Sequence, residues 1–405
     1  MSLGLRGILW RRAALFGASI LFLGPPGAGA TPAFARKYGV SCTTCHASAY
    51  PEINPFGRLY KENGYQLPDG AEEIYRNEAS LAPGAAGERL SVWRNLPLAL
   101  RALSTTRVPT SASSSARNDL DFRMFNALFL LGGGSVTRDV SFFVAASLEP
   151  NAALHHASVG FHNLLFGEGA LNARAGQFLL LDFLRPEHRS LTQVGNAATT
   201  VAVGLNPTTL DTNHLGLSLY GRTFNRRLFY NAALVQGAQG DDALDDLDSH
   251  KDLFGQIQLT LIERHTAGLF AYRGRTQITD QARAVVVRFT DPFFVVGSDA
   301  EVNLGPMTLY GCGVFGRHDN PTGLGEGVDY WALRAEADLS LTRETLAVIR
   351  YDRVISSDDE TLETEFLTTH ATYLLMTNMK LSAEYIADVA DFEQSTVYFM
   401  LDLAL

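Results

Sequence analysis

From residue 93 to the C-terminus the chain repeats one pattern, and that pattern limits its fold more than any motif does. Polar and apolar residues alternate in runs of about ten. In Asp329–Leu341, Arg334, Glu336, Asp338 and Ser340 fall on one side, and Leu333, Ala335, Ala337, Leu339 and Leu341 on the other. In "NMKLSAEYIADV", Lys380, Ser382 and Glu384 oppose Leu381, Ala383 and Tyr385; in "ALNARAGQFLL", Asn172 and Arg174 oppose Leu171, Ala173 and Ala175. A period of two puts successive side chains on opposite faces of a β-strand. The pattern predicts about sixteen strands: 94–106, 121–131, 139–148, 154–163, 170–180, 214–224, 227–236, 251–261, 265–274, 284–304, 306–316, 329–341, 343–353, 364–374, 378–389 and 392–404.

The connections between these runs also alternate. Those after odd-numbered strands are mostly long, such as "VPTSASSSARN", Leu181–Asn213, "GAQGDDALDDLDSH" and "HDNPTGLGEGV". Those after even-numbered strands are tight: "NR" at 225–226, "ERH" at 263–265, "GP" at 305–306 and "TR" at 342–343. Long external loops and short periplasmic turns are the layout of an outer-membrane barrel. A β-sandwich also uses short strands, but nothing in it forces one-sided loop lengths. The expected fold is therefore mainly β, an antiparallel transmembrane barrel of about sixteen strands wide enough to hold a plug. Composition agrees. The chain has 405 residues, is 46% hydrophobic and 19% charged, and past the N-terminus shows no long apolar run of the kind that makes a membrane helix. Its net charge of −10 makes nucleic acid an unfavourable partner.

The N-terminus departs from the alternation. Arg6, Arg11 and Arg12 precede the apolar "AALFGASILFLG", and Ala28-Gly29-Ala30 supplies small residues for cleavage. Residues 1–30 thus have the form of a secretion signal. Soon after comes "SCTTCH", with Cys42 and Cys45 the only cysteines besides Cys312. A structural zinc site needs a fourth ligand, and a thioredoxin-type dithiol needs a βαβ context. A local disulfide leaves His46 without a role. Cys-x-x-Cys-His is the attachment signature of c-type haem: two thioethers from Cys42 and Cys45, and His46 as proximal iron ligand. Asn54-Pro55 reads as an N-cap with proline at the first helical position, and Asn63-Gly64 as a helix end. Phe56, Leu59 and Tyr60 then share one helix face, an expected cover for the haem. A segment of residues 31–92 is marginal alone, and covalent haem or an enclosing partner would hold it together.

These residues carry a resemblance. Phe34-Ala35-Arg36, then Cys42, Cys45 and His46, then Pro51, Phe56-Gly57-Arg58 and Gly64-Tyr65 resemble the fused outer-membrane cytochrome–porins of iron-oxidising bacteria. The specific match is confined to this stretch; the barrel is similar in strand number and layout. The resemblance implies one haem on an N-terminal segment fused to a porin of about sixteen strands, residues 93–405 here. It implies electron transfer from an extracellular donor, Fe(II) in the best-known members, to a periplasmic carrier cytochrome. The competing expectation is a solute porin whose haem segment is a plug or redox sensor.

Residues 47–92 hold no His and no Met, so a sixth haem ligand is not visible beside the motif. Either the haem is five-coordinate, its sixth ligand is another residue type, or the barrel supplies it; on the polar phase of their strands, His156, His162 and His370 are the barrel's candidates. Two acidic stretches, Asp241, Asp242, Asp245, Asp246 and Asp248, and Asp358, Asp359, Glu360, Glu363 and Glu365, follow odd strands and are expected outside the cell. They would concentrate cations, though their spacing matches no defined metal loop. Cys312 reads as a buried inert thiol. No nucleophile elbow, phosphate loop or carboxylate pair points to hydrolysis.

Overall fold

A computed structural model of the chain describes residues 33–38, 40–46, 53–67, 97–109, 121–148, 153–165, 167, 169–183, 192, 196–237, 250–262, 265–280, 287–376, 378–392 and 395–404. The expected signal at residues 1–30 lies outside them. Sixteen strands run β1 (Leu98–Pro109), β2 (Asp121–Ser135), β3 (Val140–Ser147), β4 (Leu154–Leu165), β5 (Leu171–Leu179), β6 (Asn213–Thr223), β7 (Leu228–Val235) and β8 (Asp252–Thr260). They continue with β9 (Thr266–Asp280), β10 (Val287–Leu304), β11 (Met307–His318), β12 (Val328–Ser340), β13 (Thr345–Ile355), β14 (Thr364–Met376), β15 (Met379–Asp388) and β16 (Ser395–Ala404). Each pairs antiparallel with its sequence neighbour, and β16 pairs with β1, Met400 opposite Thr105. The closed barrel has no free edge, as a sheet in lipid requires.

The alternation decides which side faces in. On β12, Arg334, Glu336 and Asp338 are buried, while Trp331 and Leu333 are exposed. Leu217, Leu219, Leu253, Ile257, Leu269, Ile349 and Phe399 on other strands are also exposed. A continuous apolar outer face around a polar interior is stable against lipid and costly against water.

The two ends of the barrel differ as expected. At the turn end the links are short, including 136–139, 224–227, 305–306 and 377–378; at the loop end they include 110–120, 180–212 and 236–251. Gly305 takes φ 73°, which the two-residue hairpin between β10 and β11 demands.

One long connection departs from expectation. By its length the link 180–212 reads as an external loop, whereas its described residues 180–183, 192 and 196–212 pack against the barrel wall. Leu180, Leu181, Val203 and Leu210 join Phe254, Phe270, Tyr272, Phe293, Tyr310 and Val314 of the wall in one buried apolar core. Polar contacts tie it down: Asn206 donates to Asp291 at 2.7 Å, Thr208 meets Thr276 at 2.8 Å, and the Leu205 amide donates to the Pro321 carbonyl at 2.9 Å. Four large aliphatic side chains gain more from this core than from water, and that drives the link inward.

Candidate functional site

The rest of the described interior is occupied by the N-terminal segment. It forms helix α1 (Ala33–Tyr38), a 3₁₀ turn at Cys42–Thr44 and helix α2 (Pro55–Glu62). The turn is wound by the Cys42 carbonyl, which accepts from the amides of Cys45 (3.2 Å) and His46 (2.9 Å). Asn54 then fastens it to α2. Its carboxamide oxygen caps the Gly57 amide at 2.9 Å, and its Nδ2 donates to the carbonyls of Thr44 (3.1 Å) and His46 (3.0 Å). A side chain at Gly57 would run into the Cys45 carbonyl, so glycine lets helix and turn touch. At the far end Gly64 takes φ 72°, the left-handed stop anticipated from Asn63-Gly64.

The face that α2 buries is only partly the expected one: of the stripe Phe56, Leu59 and Tyr60, Tyr60 is buried and lines the cavity described below. Phe56 and Leu59 are exposed at 39% and 37%, whereas Arg58, Tyr60, Lys61 and Glu62 are buried. The reason is the surroundings. Inside a polar barrel the partners are charges on the wall, so the charged face turns inward. Arg58 pairs with Glu301 of β10 at 2.8 Å, and Lys61 with Asp182 at 2.5 Å. Glu62 takes two bonds from Arg222 of β6 at 2.5 and 2.8 Å. Arg174 shares Asp182 at 2.7 Å. Aromatic rings complete the dock. Tyr65 stacks between Phe34 (5.0 Å) and Phe143 of β3 (5.3 Å), which holds it at φ 59°, a backbone uncommon outside glycine.

Between this segment and the wall lies a cavity of about 550 Å³. Phe34, Cys42, Cys45, His46, Ile53 and Tyr60 line it from the segment. Arg101, Phe129, Phe143, His155, His156 and Asp211 line it from the barrel. The motif residues are thus brought to one side of one mostly apolar space. Burial pushes the Cys42 thiol up to about 11 and raises Cys45 as well. Burial thus disfavours the thiolate form of both. Asp211, on the link 180–212, is half-buried beside the cavity, and burial raises its carboxyl to about 6.

The three histidines chosen from strand phase separate clearly. His156 lines the cavity, with Nε2 against Ser158 at 2.8 Å. His162 is not in that lining; its Nε2 meets Ser141 at 2.7 Å, beside Gly64. His370 is held on β14 between Glu384 (2.8 Å) and Thr372 (2.7 Å). His155 was missed. Simple alternation sends it outward, but the β3–β4 register slips between Ala145↔His156 and Ala146↔Leu154. The bulge turns His155 to the cavity, and only the adjacent His-His pair hints at it in sequence.

Residues 241–249 lie outside the described residues. In the second acidic stretch, carboxylates bond locally: Asp359 accepts from Thr361 and Asp358 from the Asp329 amide. Among the described residues no group of three His, Cys, Asp or Glu is arranged to hold a bare metal ion. Cys312 is buried in β11.

The fold is that of the bacterial porins. OmpT of Vibrio cholerae, an outer membrane protein solved as a trimer, aligns over 76% of this chain and 98% of its own at 8% identity, TM-score 0.54. The outer membrane channel DcaP of Acinetobacter baumannii aligns over 76% and 96% at 11% identity, TM-score 0.52. An anion-selective porin from Comamonas acidovorans aligns over 76% and 98% at 10% identity, TM-score 0.51. No family model and no curated protein matches the sequence. At these identities the likeness concerns the barrel alone.

Proposed function

We propose that the chain is an outer-membrane barrel whose N-terminal segment carries one covalent c-type haem, and that it passes single electrons across the outer membrane. One observation carries the reading: Cys42, Cys45 and His46 line the same apolar cavity of about 550 Å³. That volume is in the range of cofactor sites. Two protonated thiols, an imidazole beside them and flanking aromatic rings suit the group chemically. Cys42 and Cys45 would hold it by thioethers, and His46 would ligate the iron. When bound, haem supplies reversible one-electron chemistry. The chain's own task is to fix the turn through Asn54, exclude water with Phe34, Phe129 and Phe143, and keep the segment inside the wall.

The barrel supports an orientation for the segment, and the direction of electron flow is taken from the resemblance. Short turns face the periplasm in proteins of this layout. Gln66 donates to the Arg138 carbonyl in the turn 136–139, so the segment meets the barrel at that end. The reading is then oxidation of an extracellular donor such as Fe(II), with one electron delivered to a periplasmic cytochrome, which is reduced. The residues shared with the fused cytochrome–porins support that donor.

A second reading has the more direct support of the comparisons: a solute porin whose segment acts as plug or redox sensor. Its neighbours in fold are porins. Two experiments separate the readings. Haem staining and a reduced-minus-oxidised spectrum of the purified protein test the cofactor. Proteoliposomes with a reducible dye sealed inside test whether external Fe(II) passes electrons. Dye reduction without solute leakage supports the first reading; solute leakage without dye reduction supports the second.

A further inference from the structure

We infer that His155 on the barrel wall is the second axial ligand of the proposed haem. The inference rests on the haem reading above.

A six-coordinate iron would draw a His or Met ligand from outside residues 47–92, which contain neither. Two wall histidines line the cavity that holds Cys42, Cys45 and His46, and they are adjacent, His155 and His156. They are not equivalent. His156 is 5% exposed, its Nε2 sits 2.8 Å from Ser158 Oγ, and its ring stands edge-on to Phe143 at 4.9 Å. It is committed to the wall. His155 occupies the β-bulge, which frees it from the strand's alternation. Its ring rests against Phe129 at 5.9 Å, and among the described residues no protein group hydrogen-bonds its nitrogens. A bulge that re-aims one side chain into a cavity is a device of functional sites, and a half-buried imidazole with open nitrogens is a ready iron ligand.

The consequence is specific. With one ligand on the segment and the other on β4, six-coordination requires that the segment be docked in the barrel. Ligation then reports docking.

The test uses the full-length protein in detergent, with a haem stain and visible and electron-spin spectra. The parent is expected to be six-coordinate, low-spin and slow to take up carbon monoxide. His155→Ala should keep its covalent haem and barrel but become wholly high-spin, bind carbon monoxide promptly and regain the low-spin spectrum with added imidazole. His156→Ala should keep the parent spectrum. If His155→Ala does not accumulate, His155→Met decides: a thioether-to-iron charge-transfer band is expected. A low-spin spectrum unchanged in His155→Ala or His155→Met overturns the assignment. So does a high-spin parent, or a conversion seen only in His156→Ala. Those results leave the haem reading standing. A parent with no covalent haem overturns both.

Discussion

The lumen is filled in two ways. On the side of β7–β13 the link 180–212 packs Leu181, Val203 and Leu210 against wall aromatics, leaving a dry, close-packed core. On the side of β1–β5 the N-terminal segment is held at arm's length by ion pairs and stacked rings, leaving a cavity of about 550 Å³. Both fillings belong to one chain and one barrel, yet one resembles a protein core and the other a prepared berth. The difference follows from the side chains. Aliphatic groups gain by closing every gap. Charged pairs such as Lys61–Asp182 and Arg58–Glu301 fix position without needing the space between them filled.

The largest effect expected on this comparison comes from replacing Cys42 and Cys45 by Ala. Covalent haem should vanish from a stained gel while the barrel keeps its heat-modifiable mobility; haem retained without both thiols would empty the cavity side of its assigned purpose. Asp182→Asn should come next. It leaves Lys61 and Arg174 buried without the carboxylate they share, at a cost of about 3–5 kcal/mol. Limited proteolysis should then cut within residues 33–67, and resistance equal to the parent would mean the ion pairs do not hold the segment. Leu181→Ala strikes the packed side. A cost of about 2–5 kcal/mol is expected for a buried leucine, with a lower melting temperature and an unaltered haem spectrum. A shifted spectrum would show that the two sides are coupled after all.

The smallest effect concerns Asp211, whose carboxyl is raised by burial from 3.8 to about 6. The folded protein holds that proton more firmly than the unfolded chain does. Its contribution to stability is therefore complete below pH 3.8 and lost as pH rises through about 6. Melting temperatures of parent and Asp211→Asn, compared from pH 3.5 to 7.5, should diverge over that window. Parallel curves would mean that the carboxyl is solvated instead.

All sixteen strands were legible because each side of the wall faces one solvent, so alternation in the sequence maps directly onto in and out. The turn chemistry was legible too, as at Gly305 and Asn63-Gly64. What failed was whatever depends on what lies across the lumen. Phe56, Leu59 and Tyr60 looked like a buried stripe because burial was equated with apolarity; Tyr60 is buried, but inside this barrel Arg58, Lys61 and Glu62 find their partners and turn inward where Phe56 and Leu59 stay exposed. The link 180–212 looked like an external loop because its length, not its partner surface, was read. His155 was not among the candidates, because strand phase selects His156 and a bulge changes that phase with only the His-His pair to hint at it. The motif Cys42, Cys45, His46 was found by spacing alone, but that it lines one cavity with His155 needed the fold.

The inward charges of α2 also bear on how such a chain is assembled. Outside the barrel, Arg58, Lys61 and Glu62 would face water, and the segment carrying them would travel as a soluble, hydrophilic module. Its partners Asp182 and Arg222 sit just beyond β5 and on the neighbouring β6, while Glu301 sits on β10, farther round the wall. The segment thus ties the β5–β6 side of the wall to β10, a strut across the lumen made of charges.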